Sequence, residues 1–236
     1  MKNLTEEDKE FLKTYNADEY KHPSVTVDML IFTVVDGTLC LMLIERKNPP
    51  YKDCWALPGG FVNIDESIKT AALRELKEET NVNAIGYLEQ LGAYGEVGRD
   101  PRTRVISIAY MALIPSVNIT REMRGGDDAK VARLFNINNI FEMNLAFDHA
   151  QIIKDGIQAL KDRLLYTDIA FNLVGSEFTI LDLQKVHEAI LGHEIHKGNF
   201  RRSFEKNYLT TGKAEETGNY SRKYQRPAKL YRLRGK

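Results

Sequence analysis

Four carboxylates and one guanidinium in the first half of the chain are spaced so that they could support metal chemistry: Glu66, Arg74, Glu75, Glu78 and Glu79. Their surroundings predict a helix over residues 67–80, in which each residue turns by about 100°. The last three carboxylates then fall within about 100° of arc, on a half of the helix that also carries apolar residues. Like charges at i,i+4 destabilise a helix by about 0.2–0.5 kcal/mol per pair. A hard cation such as Mg²⁺ would reverse that penalty by taking carboxylate oxygens as ligands; a solvated acidic surface is the alternative.

The residues before the helix extend this pattern. Gly60 is followed after five residues by Glu66, and after seven more by the run Arg74-Glu75-Leu76-Lys77-Glu78-Glu79. This spacing resembles the signature of the Nudix hydrolases. It departs from that signature at Asn81, where the family usually has glycine, and both residues tolerate the left-handed conformation of a helix C-cap. The resemblance implies an α-β-α sandwich that cleaves a nucleoside diphosphate linked to another group, X.

The same resemblance implies residue roles. Mg²⁺ or Mn²⁺ would be held by three carboxylates and one carbonyl, those of Glu75, Glu78, Glu79 and Gly60. Glu66 would pair with Arg74 and orient the site, so the catalytic set is Glu66, Arg74, Glu75 and Glu79. The metal would neutralise the anionic pyrophosphate, orient an attacking water and lower the pKa of that water. The general base stays open among several acids: Glu75, Glu79, Glu122, Asp127 and Asp128.

Other residues could contact the substrate. Arginines at predicted strand ends could reach phosphates, and they are Arg46, Arg99, Arg102 and Arg104. Surface solvation is the alternative for each of them. Trp55 and Phe61 could stack on a nucleobase, with core packing as the alternative.

The elements that must position these residues are interspersed strands and helices. Asp36-Gly37 is a hairpin signal between two runs that are apolar on both faces, as in the middle of a covered sheet. The predicted strands lie at 25–35, 38–46, 85–97, 104–114 and 130–137, and helices are predicted near 5–15 and at 146–165. Together they predict an α/β (α+β) domain over residues 1–165.

A second unit follows at residues 166–236. Residues 196–236 carry 12 lysines and arginines against three acids, although the whole chain has a formal net charge of zero. The predicted elements are a helix at 180–191, a basic helix at 197–208, a polar loop with Gly212 and Gly218, and a last strand at 228–233. Helix, turn, basic helix and β-hairpin are the pattern of a winged helix-turn-helix. A basic segment of this kind indicates a polyanionic partner.

The order of the two units resembles Nudix-related transcriptional regulators, in which an ADP-ribose hydrolase-like domain carries a winged helix. The resemblance rests on the runs His196-Lys197-Gly198-Asn199-Phe200-Arg201-Arg202 and Arg226-Pro227-Ala228-Lys229-Leu230-Tyr231. It implies a nucleotide ligand such as ADP-ribose, double-stranded operator DNA, and a homodimer that reads paired half-sites. Expected DNA contacts are Lys197, Asn199, Arg201, Arg202 and Lys206, with Arg222, Lys223 and Arg226 in the wing. A solvated basic helix is the alternative, and a pyrophosphatase whose C-terminal domain serves only assembly is the alternative function.

Composition limits the remaining classes. The two cysteines, Cys40 and Cys54, lack metal-ligand spacing and are typical of buried free thiols in a reducing compartment. No apolar run approaches the roughly 20 residues of a membrane span. Residues 1–20 are charged and lack the apolar core of a signal peptide. We therefore expect a cytoplasmic protein that is not bound to a membrane.

Overall fold

The computed structural model describes residues 4–80, 86–119, 129–224 and 226–235, without the side chains of residues 79, 80, 129 and 130. Within these ranges seven strands form one mixed sheet: β1 (Ser24–Val35), β2 (Thr38–Arg46), β3 (Trp55–Ala56), β4 (Gly59–Phe61), β5 (Tyr87–Tyr94), β6 (Val105–Leu113) and β7 (Ala129–Asn136). The strand order is β3-β2-β1-β6-β5, with β4 paired to β1 and β7 paired to β2.

The centre of the sheet is the hairpin of β1 and β2. The two turn residues between them, Asp36 and Gly37, both have positive φ angles, of 50° and 80°, as a two-residue hairpin turn requires. On its other edge β1 pairs in parallel with β6. Most of β1 and β2 is buried, which confirms that both faces of these strands are covered.

Helices cover the two faces of the sheet. Alternate residues of β1, among them Val27 and Met29, pack with Leu76 of helix α2 (Ile68–Thr80). The intervening residues, among them Leu30, pack with Ile153 of helix α3 (His149–Tyr166). The predicted α-β-α sandwich is therefore confirmed. Helix α1 (Glu6–Thr14) precedes the sheet and begins with the expected cap at Thr5.

The C-terminal unit consists of helix α4 (Ile180–Leu191), helix α5 (Lys197–Phe204) and the hairpin of β8 (Ala214–Ser221) and β9 (Ala228–Leu233).

Two predictions about this unit need correction. The α-helix expected over 197–208 ends at Phe204 and continues as a π-helical turn, Glu205–Leu209.

The segment that contains Gly212 and Gly218 was predicted to be a polar loop, and this prediction also needs correction. Much of the segment is β8, a strand whose exposed side pairs charges across the hairpin, as between Glu215 and Arg232 at 2.6 Å. Such a strand carries little of the apolar alternation by which strands are recognised in a sequence.

One apolar cluster runs through both units. It contains Leu30 and Ile153 of the Nudix-like unit together with Val186 of α4, Phe204 of α5 and Tyr231 of β9. The connecting segment is itself buried at residues 169–171. No helix in the described part of the chain is long and apolar enough to cross a membrane.

Candidate functional site

The glycine segment before α2 brings the backbone against a buried carboxylate. β4 pairs with β1 so that Gly60 lies opposite Val27. A Cβ atom on Gly60 would lie 2.3 Å from Oε1 of Glu75, which is too close for that carboxylate to keep its place. Glycine at position 60 therefore allows the Glu75 carboxylate to approach the backbone of the segment.

Arg74 is the centre of the charge network at this site. Its guanidinium donates to Glu66 Oε1 at 2.7 Å, to Glu75 Oε1 at 2.6 Å and to Glu78 Oε2 at 3.1 Å. Glu66 also accepts from the backbone and side-chain amides of Asn63, at 2.9 and 2.8 Å. Arg74 and these amides lower the pKa of Glu66 to about 2. The Glu66–Arg74 pair expected from the sequence is present.

Glu75 is the buried member of the acidic set, with 9% of its surface exposed. Burial raises the pKa of Glu75, and the neighbouring Arg74 opposes that rise. Carboxylate oxygens beside a backbone carbonyl are the donors that a hard divalent cation prefers, so Glu75 and Gly60 fit such an ion. Within the described side chains, no three His, Cys, Asp or Glu residues form a complete metal-binding group. The side chain of Glu79 lies outside the described part, as do the candidate bases Glu122, Asp127 and Asp128.

A cavity of about 290 Å³ opens beside the glycine segment. Its lining combines cations, carboxylates, aromatic rings and backbone: Thr26, Asp28, Ile44, Arg46, Asn48, Pro49, Leu57, Gly59, Gly60, Phe61, Arg99, Asp100, Arg102, Phe147 and His149. This mixture suits a ligand with a diphosphate and an aromatic base.

The structure separates the four candidate arginines. Arg46 and Arg102 line the cavity, with their guanidiniums over the rings of Phe147 and Phe61 at 4.9 and 5.4 Å. The side chain of Arg99 is only 4% exposed and binds Asp148 at 2.6 Å, so it forms part of the wall. Arg104 donates to Glu96 O at 3.1 Å and is not in the cavity lining. Arg104 therefore does not contribute to the wall of this cavity.

The two aromatic candidates also differ. Trp55 is half-buried, packs edge-on against Phe135 with ring centroids 4.5 Å apart, and lies against the main apolar cluster. Phe61 is 44% exposed at the rim of the cavity.

Sequence reasoning missed a buried polar cluster in the cavity wall. Asp28 accepts from Ser107 Oγ and Arg99, and its Oδ1 lies 3.5 Å from Nε2 of His149. Nδ1 of His149 accepts from the backbone N–H of Leu57 at 2.9 Å. Burial lowers the pKa of His149. An aspartate inside an otherwise apolar strand was the only signal for this cluster in the sequence.

The basic C-terminal unit has a separate groove of about 810 Å³ between α4, α5 and the hairpin. Lys197, Arg201 and Arg226 are exposed and line it. Asn199 and Arg202 are also exposed on α5, and the Arg202 guanidinium donates to Asn199 Oδ1 at 2.6 Å. A further candidate, Lys206, is exposed in the π-helical turn and does not line the groove. Lys197, Arg201 and Arg226 thus lie together at the groove, whereas Asn199 and Arg202 are exposed on α5 but do not line it.

The end of the wing is tied to α4. Tyr224 donates to Asp182 Oδ1 at 2.7 Å, and Lys223 Nζ lies 3.3 Å from the same oxygen. Asp182 also completes a capping box with Thr179 at the start of α4. Arg222, the other wing candidate, is exposed.

Comparison with known proteins matches both units. Residues 22–156 match the NUDIX domain, and residues 170–233 match the NrtR DNA-binding winged helix domain. The ADPR responsive transcriptional repressor NtrR of Acinetobacter baylyi is 36% identical over 225 residues, covering 94% of this chain and 87% of its own. The ADP-ribose pyrophosphatase of Methanocaldococcus jannaschii is 44% identical over 145 residues, covering 61% of this chain and 78% of its own.

Solved structures give the same result. Shewanella oneidensis NrtR, complexed with a 27mer DNA, aligns with a TM-score of 0.77 at 33% identity, over 89% of this chain and 93% of that one. The NUDIX domain of the same protein, complexed with ADP ribose, aligns with a TM-score of 0.58 at 32% identity, over 66% of this chain and 99% of that one. The matches cover both domains in the same order, and the chain belongs to the NrtR family, in which a domain of the Nudix hydrolase superfamily is joined to a DNA-binding winged helix.

Proposed function

We propose that this protein is an ADP-ribose-responsive transcriptional repressor. Its Nudix domain, residues 1–165, binds ADP-ribose, and its winged helix domain, residues 166–236, binds double-stranded operator DNA as part of a homodimer in the cytoplasm. The observation that carries the proposal is the presence, in one chain, of a cationic and aromatic nucleotide cavity and an exposed basic helix beside a hairpin.

The cavity supports ADP-ribose as the ligand through its chemistry. Arg46 and Arg102 supply positive charge for the diphosphate, and each lies over an aromatic ring that can contact a flat base. The buried carboxylate of Asp28 offers an acceptor for a ribose hydroxyl. The Arg99 side chain holds the wall in place instead of reaching the phosphates.

The winged helix supports DNA binding through exposed cations and through one hydrogen-bonded pair of polar side chains on α5. In this proposal the exposed cations Lys197, Arg201 and Lys206 contact phosphates, and such contacts supply affinity but not sequence information. Asn199 and Arg202, held together on α5, can reach base edges in the major groove. Arg226 extends the basic surface onto the wing.

A DNA-binding assay tests the proposal. We expect the protein to bind the promoter DNA of its own operon, and ADP-ribose to weaken that binding. The double variant Arg201→Ala, Arg202→Ala should bind the promoter much more weakly, and its affinity should depend less steeply on salt, by about 0.9 in log–log slope per lost phosphate contact.

The matched control is the double variant Lys13→Ala, Lys154→Ala, which removes two exposed cations from the Nudix half and should bind DNA like the wild type. Equal binding by the arginine variant and the wild type would show that α5 is not the recognition helix. Failure of ADP-ribose to change the affinity of the wild type would contradict the proposed regulation.

Hydrolysis is a second candidate function, favoured by the intact acidic set around Glu75. In this proposal Glu75, Glu78, Glu79 and the Gly60 carbonyl hold Mg²⁺ or Mn²⁺. When bound, the ion neutralises the pyrophosphate and activates water. Glu66 keeps the Arg74 guanidinium in place, and Arg74 in turn orients the carboxylate of Glu75. Glu75 or Glu79 serves as the general base.

The test of hydrolysis is Mg²⁺-dependent release of AMP from ADP-ribose. The Glu75→Gln variant should lose this release, whereas Asp65→Asn, which changes an exposed acid of the loop before α2, should keep it. Equal rates in the wild type and Glu75→Gln would contradict the site. Release of AMP without any DNA binding would favour a pyrophosphatase whose C-terminal domain serves assembly.

A further inference from the structure

We propose that His149 is a positioning residue that joins the glycine segment of the nucleotide cavity to helix α3, so that a ligand seated on Gly59 and Gly60 acts on the winged helix packed behind α3. This inference rests on the proposed function and adds the residues through which the two sites are connected.

The hydrogen bonds of His149 define its role. The imidazole is 3% exposed, and Nδ1 accepts from the backbone N–H of Leu57 at 2.9 Å. Because Nδ1 accepts, the proton of the neutral ring is on Nε2, which faces Asp28 Oδ1 at 3.5 Å. Leu57 is two residues before Gly59, and the intervening Pro58 has no N–H to donate. The Leu57 N–H is therefore the last backbone donor before the glycine segment, and His149 fixes it.

A second tie joins the same cavity wall to the start of α3. Asp148 occupies the N-cap position of this helix, yet its side chain makes no capping hydrogen bond. Both carboxylate oxygens instead accept from Arg99, at 2.9 and 2.6 Å. Arg99 also reaches Asp28 at 3.4 Å, and Asp28 accepts from Ser107 of β6. An N-cap aspartate normally accepts from the first backbone N–H groups of its own helix, whereas Asp148 uses both oxygens to bind the cavity wall.

The other end of α3 lies against the winged helix. Helix α3 has 18 residues and spans about 27 Å. Leu160 and Leu164 in its second half share one apolar cluster with Leu183 and Val186 of α4. A close-packed core transmits small displacements because it cannot deform continuously. A shift of the glycine segment, passed to α3 by His149, therefore reaches the helix on which the recognition helix and the wing are built.

Three substitutions separate this role from simple core packing. His149→Asn keeps an acceptor near the position of Nδ1. His149→Gln keeps a donor near Nε2 and loses the acceptor for Leu57, and His149→Phe keeps the ring and loses both. The control is Tyr94→Phe, which removes a hydrogen bond of 3.0 Å between β5 and Asp155 of α3 and does not touch the cavity.

The experiment measures ADP-ribose affinity by calorimetry and operator affinity with and without ADP-ribose, together with the melting temperature. In His149→Phe and His149→Gln we expect ADP-ribose affinity to fall about tenfold, because the buried Leu57 N–H is left without an acceptor. We also expect the ratio of operator affinities without and with ADP-ribose to approach one, while operator affinity without ligand stays at the wild-type value. His149→Asn and Tyr94→Phe should keep the wild-type ratio.

A role in packing alone predicts another result. The melting temperature would fall, but the folded variants would keep both the ADP-ribose affinity and the wild-type ratio, and this would overturn the inference. If His149→Phe does not fold, His149→Gln distinguishes the positioning role from the packing role by the same measurements. A wild-type protein whose operator affinity ignores ADP-ribose would instead contradict the proposed function, so the two failures are distinguishable.

Discussion

At the residue scale, the site depends on a carboxylate that is buried against a glycine. Glu75 is 9% exposed, and burial of an ionised carboxylate is unfavourable without a cation close by. Arg74 supplies one positive charge at 2.6 Å, and Glu66 holds Arg74 from the other side. The absence of a side chain at Gly60 makes this approach possible.

The first prediction concerns Gly60. In Gly60→Ala the new Cβ would meet the Glu75 carboxylate at 2.3 Å, so the carboxylate must move away from the metal-binding position. A displacement of about 1 Å at a reacting centre lowers rates on the order of 100-fold, and we expect such a loss in kcat/KM for AMP release. Gly92→Ala is the control, since its nearest contact would be an ordinary 3.9 Å to Tyr94. Equal rates in Gly60→Ala and the wild type would show that this contact is irrelevant.

The second prediction concerns pH and His187 of α4. Its ring packs against Phe200 with centroids 5.1 Å apart, and burial lowers the pKa of His187 to about 4. In the unfolded chain His187 takes up a proton near pH 6.5, whereas in the folded chain it does so only near pH 4. The contribution of the neutral His187 ring to the free energy of unfolding is therefore fully present above pH 6.5 and is lost as the pH falls to 4.

Denaturant titrations between pH 7.5 and 4.5 measure that loss. The free energy of unfolding of the wild type should fall by up to about 1.4 kcal/mol per pH unit from this group. His187→Phe should remove that part of the slope, and His193→Gln, at an exposed position of the loop after α4, should leave it in place. An unchanged slope in His187→Phe would contradict the assignment.

At the element scale, the sequence predicted most elements because their patterns are local. The bounds of β2, α4 and β9 agree with the predicted ones, since apolar periodicity and the Asp36-Gly37 turn define them directly. β8 was missed because its side chains are mostly polar and pair across the hairpin, as Glu216 does with Lys229, so it lacks apolar alternation. The early end of α5 was missed because it depends on tertiary contacts, in which Phe204 packs against Tyr231 of the hairpin and Tyr208 packs against Phe171 of the connecting segment.

The site follows the same division. The spacing from Gly60 to Glu79 is a local pattern, and its resemblance to the Nudix signature implied the Glu66–Arg74 pair, which the structure contains. The cluster of Asp28, Arg99 and His149 joins positions up to 121 residues apart, so no local pattern announces it.

The third prediction concerns the wing. Tyr224→Phe removes the hydroxyl that donates to Asp182 at 2.7 Å and leaves the capping box of α4 intact. Loss of one such hydrogen bond weakens an interaction roughly threefold to tenfold. We expect operator affinity to fall by about that factor while the melting temperature stays close to the wild-type value.

Tyr166→Phe is the control for the wing, because Tyr166 is 86% exposed at the end of α3. Fluorescence anisotropy with labelled operator DNA measures both variants. A Tyr224→Phe protein with unchanged operator affinity would show that the anchored wing does not contribute to DNA binding.

At the scale of the whole molecule, the two domains share one apolar cluster. Residues from β1, α3, α4, α5 and β9 belong to it, and the connecting segment at 169–171 is buried within it. We therefore expect the Nudix and winged helix domains to respond to ligand together, because a displacement in one cannot be absorbed by a flexible linker.

The fourth prediction follows from that shared core. Thermal unfolding should occur in one transition, seen at the same temperature by the fluorescence of Trp55, the only tryptophan, and by far-ultraviolet circular dichroism of all helices. A saturating concentration of ADP-ribose should raise that single midpoint. Two separate transitions, with ADP-ribose moving only one of them, would contradict a shared core.

Coupling between the nucleotide site and the DNA-binding surface is measured most directly by the affinity for ADP-ribose with and without operator DNA. If the ligand weakens operator binding by some factor, linkage requires that the operator weaken ADP-ribose binding by the same factor. Calorimetric titration of ADP-ribose into free and operator-bound protein, under conditions without hydrolysis, gives that factor independently of the DNA-binding assay. We expect two equal factors, both above one. An affinity for ADP-ribose that is the same in free and operator-bound protein would contradict regulation of DNA binding by this ligand.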